Sequence, residues 1–262
     1  MLEADYLYPE DGYDTNWDLA TDGPLPVPTW MMDDRHPEGF GAYDVVSGEF
    51  YEGYPMSPSY AHWETEPQNH VFYLKRFSMG QFGHLDLPSN TIGNGVPGTY
   101  SVWARVNYAS AKRFMFGVFG SGSYSYPWHG RRFQLFGTAT TLLWTADTNF
   151  YNRMRHYVIV ADGSGFTLYL DGKSQGRQES SDAFSVNNFG SQDLSYQYGW
   201  EGNFSRIVQF DEALSDSQVS LLYESQLNGG LGVLGESWPL HVRSPVAAGG
   251  ASHAGLVGGG LF

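Results

Sequence analysis

Between His156 and Gly172 the side chains fall into two short alternating runs. Val158, Val160, Phe166, Leu168 and Leu170 alternate with Tyr157, Ile159, Thr167 and Tyr169, the period of two that an extended strand imposes. Asp162-Gly163-Ser164-Gly165 separates the runs with residues that tolerate positive φ, so the pattern predicts a tight hairpin. Asp171-Gly172 marks a second turn. Farther along, in ALSDSQVSLLYESQLNGG, the period lengthens: Val219, Leu222 and Tyr223 form one apolar face of a helix. Ser215 can cap that helix and Gln218 can reciprocate, while Leu214 and Val219 sit where a hydrophobic staple would put them. Gly229-Gly230 stops it, so the helix is expected to start near Asp216 and run no more than about four turns.

Taken in order, these pieces resemble the laminin-G-like branch of the concanavalin A-like lectin/glucanase superfamily. Members of that branch carry an aromatic-hydrophobic strand, a strand ending in Tyr-x-Asp-Gly, and then a glycine, a strand and a capped helix. The corresponding segments are HYVIVA, LYLDG (Leu168 to Gly172), GNFSRIVQF (Gly202 to Phe210) and ALSDSQVSLLY (Ala213 to Tyr223). GHLDLP (Gly83 to Pro88) and TYSVWARVN (Thr99 to Asn107) are similar to two earlier strands of the family, with Trp103 where the family has a core aromatic. The resemblance spans residues 72 to 227 and implies an all-β fold, an antiparallel jelly-roll sandwich with one short helix. It implies no ligand by itself, because the same fold carries lectins, adhesion modules, hydrolases and structural domains.

Composition agrees with a large β domain. Aromatic residues make up 16% of the 262 residues, and 33 glycines punctuate the strands. Around a jelly roll at 71–227, extended arms are expected. Residues 1–70 hold eight of the 13 prolines with no sustained period, and 228–262 form a Gly/Ala-rich tail almost without charge. Leu256, Val257, Leu261 and Phe262 are the residues by which that tail would dock on a neighbour.

Charge narrows the partners. The 14 Lys+Arg against 28 Asp+Glu leave a net charge of −14 and no basic run, which disfavours nucleic acid and anionic membranes. No apolar run is long enough to span a bilayer. The absence of cysteine excludes disulfides and thiolate metal sites. MLEADYLYPEDGYD lacks the basic and apolar regions of a secretion leader. A lectin-like module without a leader, and with long arms, is therefore expected on the surface of a virus particle assembled in the host cytoplasm, contacting other virion proteins or copies of itself. Extracellular placement is the alternative.

Catalytic signals are poor. Laminarinase-type relatives place three carboxylates along one strand as Glu-x-Asp-x-(x)-Glu, so that alternate side chains flank the glycosidic bond. Glu64 and Glu66 have one such interval but no third carboxylate, and Glu49 and Glu52 fall on opposite faces of a strand. His70, His84, His129 and His156 sit at no metal-ligand spacing. Calcium is the one cofactor left open, with Asp147 and Asn149, or Asp162 at the hairpin, as rim oxygens. No other cofactor is expected.

Sugar binding is the sharpest expectation. A sugar offers an apolar C–H face and a ring of hydroxyls, so it wants an exposed aromatic beside polar groups. GSGSYSYPWHGRR, with Tyr124, Tyr126, Trp128, His129 and Arg131, and YQYGWEGN, with Tyr196, Tyr198, Trp200 and Asn203, are the densest candidates, and Trp144 follows nearby. The expected protein is a non-enzymatic virion component, a capsid decoration or tail protein, with glycan binding as an accessory activity. A free-standing lectin module is the first alternative, and a glycoside hydrolase or lyase with a non-standard site the second.

Overall fold

The computed structural model describes residues 25–26, 28–32, 41–44, 46–47, 49–54, 61–66, 69–74, 84–106, 114–118, 123–128, 131–137, 139–146, 150, 153–190, 199–200 and 202–228. Its strands, in chain order, are β1 (Trp30–Met31), β2 (Gly41–Tyr43), β3 (Phe50–Tyr54), β4 (Ala61–Glu66), β5 (Asn69–Leu74), β6 (His84–Gly93), β7 (Pro97–Val106) and β8 (Phe116–Gly117). They continue with β9 (Tyr124–Trp128), β10 (Arg132–Phe136), β11 (Thr141–Thr145), β12 (Arg155–Asp162), β13 (Gly165–Leu170), β14 (Lys173–Glu179), β15 (Ala183–Phe189) and β16 (Gly202–Phe210). One helix, α1 (Asp216–Asn228), follows.

Two antiparallel sheets face each other as a jelly-roll sandwich. One runs β14-β13-β12-β7-β16-β5-β4, with β1 also pairing β16; the other runs β11-β10-β9-β8-β15-β6-β3-β2. The predicted hairpin forms with Tyr157 opposite Leu170 and Ala161 opposite Phe166. Gly163 takes φ +89° at its tip, and Asp162 Oδ1 accepts from the backbone of Ser164 and Gly165 at 2.9 Å each. The main core fills the space between the sheets with Tyr157, Ile159 and Leu168 from one and Phe133, Leu135 and Phe184 from the other.

A second apolar cluster lies on the outer face of the first sheet, where Val158, Val160 and Tyr169 meet Leu214, Val219 and Leu222. The hairpin strands are therefore apolar on both faces, one covered by the opposite sheet and the other by α1. The helix begins as its sequence signals dictate. Gln218 N donates to Ser215 Oγ at 3.3 Å and Ser215 N to Gln218 Oε1 at 2.9 Å, closing the capping box. Trp103 is buried, but it belongs to this outer layer rather than to the space between the sheets: its ring stacks on His156 at 5.2 Å and on Tyr223 of α1 at 5.6 Å. The two motif glycines have physical causes. Gly172, at φ +74°, lies so close under Tyr223 that a Cβ would stand 3.1 Å from it. A Cβ on Gly202, at φ +145°, would stand 1.9 Å from the Arg105 carbonyl oxygen.

The described parts of the N-terminal segment form short strands. β1 joins the first sheet beside β16, and β4 and β5 extend that sheet, while β2 and β3 extend the other along β6. The prolines and glycines break the strands into short pieces, which is why no sustained period is visible. The tail residues Leu256, Val257, Leu261 and Phe262 lie outside the described residues.

Candidate functional site

Among the described aromatics proposed as a sugar platform, Tyr126, Trp144 and Trp200 are interior. Trp200 is 1% exposed, with its ring 5.3 Å edge-on to Phe189, and Trp144 is 3% exposed and donates Nε1 to the Gly176 carbonyl at 2.8 Å. Tyr126 is fully buried, stacked on Tyr124 at 5.8 Å and on Phe136 at 5.6 Å. The reason is strand phase. In β11 the inward positions are Leu142 and Trp144, and in β9 Tyr124 and Tyr126 share a face as strand residues rather than loop residues. Trp128 ends β9. His129 and Tyr198, and the calcium candidates Asp147 and Asn149, lie outside the described residues. Asp162 is taken by the hairpin turn and by an ion pair with Arg177, Nε to Oδ2 at 2.5 Å, which holds its carboxyl well below the usual range. Among the described residues no group of three His, Asp or Glu is placed to hold a metal ion.

A cleft of about 380 Å³ opens elsewhere, where the N-terminal segment crosses the rim of the sandwich. Thr29, Trp30, Asp44, Ser47, Glu49 and Tyr51 line one side; Pro88, Ser89, Asn90 and Asp211 line the other. Asp44 builds the crossing. Its carboxylate accepts from Met31 N at 2.8 Å, Val46 N at 3.1 Å, Ser47 N at 3.2 Å and Ser47 Oγ at 2.7 Å. It thereby ties β1, in one sheet, to the turn after β2, in the other. With four donors satisfied and 2% exposure, Asp44 serves structure and is not open to a ligand proton.

The exposed chemistry comes from Tyr51, Glu49, Asn90 and Asp211. Tyr51 is half-buried, and its hydroxyl donates to Glu49 Oε2 at 2.8 Å. Burial, then the hydrogen bond to Glu49 and the charges of Glu49 and Asp44, push this phenol up to about 12, so it stays a neutral donor at ordinary pH. Asp211 Oδ1 accepts from Gln209 Nε2 at 3.0 Å and from Asn90 Nδ2 at 3.3 Å. Trp30 is buried against Tyr100, ring centroids 6.1 Å apart, at the cleft's inner edge. Glu49 and Asp211 are exposed to solvent.

Sequence reasoning missed this site. Asp44, Tyr51, Asn90 and Asp211 occur in no common motif, and Asn90 and Asp211 are 121 residues apart. One local signal existed: Asp44 and Ser47, followed by Gly48, have the spacing of an Asx turn between two short strands.

A lectin-type β-sandwich with an open polar cleft on its rim is the class these features define. The laminin-G family model of the concanavalin A-like lectin/glucanases superfamily matches residues 79–220, more than half of the chain. The protein belongs to that superfamily. Among solved structures, the botulinum neurotoxin serotype G binding domain is similar at 12% identity and a TM-score of 0.58, over 78% of this chain and 52% of that one. The serotype D ligand binding domain, in complex with N-acetylneuraminic acid, is similar at 15% identity and 0.55, over 77% and 52%. A Trypanosoma rangeli sialidase is similar at 13% and 0.52, over 78% and 33%. The chain spans about half the length of these toxin domains, and the likeness is one of fold. No curated protein sequence matches the chain.

Proposed function

We propose that the protein is a non-catalytic, lectin-like carbohydrate-binding module whose sugar site is the cleft between the N-terminal segment and the sandwich rim. The observation that carries this reading is the cleft itself. It is about 380 Å³, within the roughly 300–1,000 Å³ of small-molecule sites, and sets a half-buried tyrosine beside Glu49, Asn90 and Asp211. Sugar recognition on a fold of this kind is supported by the serotype D toxin domain, described in complex with N-acetylneuraminic acid. One ring against one tyrosine contributes about 1 kcal/mol, so a single site should bind in the millimolar range and gain by avidity when repeated.

Ligand-observed NMR against a panel of oligosaccharides tests it. Binding should fall at least fivefold in Tyr51→Ala and Asn90→Ala, with melting temperature held near that of the parent. Unchanged binding in both variants would remove the cleft as the site.

The finer reading places this module on a virus particle, as a decoration or tail component. It rests on the composition of the chain's two ends. Deletion of residues 245–262 should abolish assembly onto a partner or into an oligomer while leaving thermal unfolding nearly unchanged. Normal assembly of the truncated chain would sink that placement.

A further inference from the structure

We infer that the cleft takes a ligand that donates hydrogen bonds, a neutral sugar ring or an amino sugar, and rejects sugars carrying a carboxylate, sulfate or phosphate. This rests on the carbohydrate-binding reading above and names the class of sugar.

The argument is a count of donors and acceptors. The strong side-chain donors of the cleft are turned to its own carboxylates: Tyr51 to Glu49, Ser47 to Asp44, and Asn90 to Asp211. Among the described residues, Glu49 Oε1 and Asp211 Oδ2 accept no hydrogen bond. The donors left over are the second amide hydrogen of Asn90 and Trp30 Nε1, which is buried, so the exposed unused capacity is chiefly lone pairs on two carboxylates. The hydroxyls of Thr29 and Ser89 can serve either way. Among the described residues, no Lys, Arg or His lines the cleft. A sugar hydroxyl or ammonium finds charge-assisted acceptors there. An acidic sugar meets three like charges and, among the described lining residues, no cation to pair with.

Six of the ten described lining residues, Thr29 to Tyr51, precede the stretch matched by the family model at 79–220. The N-terminal segment therefore supplies the specificity, and the family jelly roll supplies the wall.

A glycan array carrying matched sialylated and unsialylated chains, followed by calorimetric titration of lactose, 3′-sialyllactose and glucosamine oligomers against the full chain, tests this. Unsialylated or amino forms should bind at least tenfold more tightly than their sialylated counterparts. Glu49→Gln with Asp211→Asn should weaken the preferred form several-fold and shrink the discrimination, with the melting curve retained. Equal or better binding of sialylated forms, weakened by Asn90→Ala, would overturn the inference and leave the carbohydrate reading standing. Discrimination that survives the double substitution would overturn it too. If no sugar of any class binds, the carbohydrate reading itself fails and this inference falls with it.

Discussion

His156 shows how far one residue's surroundings can depart from its sequence context. It is fully buried, its Nε2 lies 2.7 Å from Ser101 Oγ, and its ring stacks with Trp103 and Tyr223. Burial first, and the neighbouring Arg206 next, hold its pKa down to about 3. The folded chain thus refuses a proton that the unfolded chain accepts near pH 6.5. Stability from this residue is whole above pH 6.5 and is lost as pH falls toward 3, by at most about 1.4 kcal/mol per pH unit. Melting temperatures between pH 7.5 and 4 should fall through that window, and His156→Gln should flatten the fall. An equal slope in the variant would assign the acid sensitivity to other groups. Asp162 acts in a separate range, because a carboxylate held low in the fold loses its contribution only below the ordinary carboxylate pKa. Trp200 and Trp144 belong to the same scale. As core rings, each replaced by Ala should cost about 3–5 kcal/mol, read as a lower midpoint in denaturant unfolding. A variant as stable as the parent would show that the ring is not part of the core.

At the scale of elements, local signals decide termini and tertiary contacts decide faces. The capping box at Ser215 and Gln218 was legible because its partners are three residues apart. Ser215→Ala should cost about 1 kcal/mol, measured by chemical denaturation. The free edges of the two sheets behave differently. β11 and β14 end their sheets on the same side, and the Gln178 carboxamide bridges them, accepting from Leu143 N at 3.4 Å and donating to Leu143 O at 2.5 Å. The glutamine side chain occupies backbone groups that another strand would otherwise pair with. Gln178→Ala should therefore raise self-association, seen as a concentration-dependent mass by light scattering. A strictly monodisperse variant would show that the edge is protected by something else.

For the whole molecule, the N-terminal segment matters more than its composition suggests. Trp30, Met31, Met32 and Ala42 are all nearly inaccessible to solvent, and Asp44 links the strands they flank across both sheets. A chain lacking residues 1–54 would keep the stretch matched by the family model but lose β1, β2 and β3. It should melt many degrees lower, having lost several kcal/mol of apolar burial, and should bind no sugar. A truncated chain that melts and binds like the parent would separate the segment from both fold and site.

The chain's local pattern by itself determined the hairpin at Asp162, the start of α1 and the order of segments that places it among the jelly-roll sandwiches. Each depends on neighbours within a few residues, where period, turn chemistry and capping act directly. Tertiary structure alone decided which aromatic rings stay wet. A strand presents alternate residues to opposite faces, and whether a face is dry depends on what covers it. Tyr126, Trp144 and Trp200 went inside for that reason. The cleft, likewise, exists only once β1 and β16 pair and bring Trp30 and Asp211 to the same rim as Asn90. Contacts between residues so far apart in sequence leave no period or short motif, because chain folding, not spacing, brings them together.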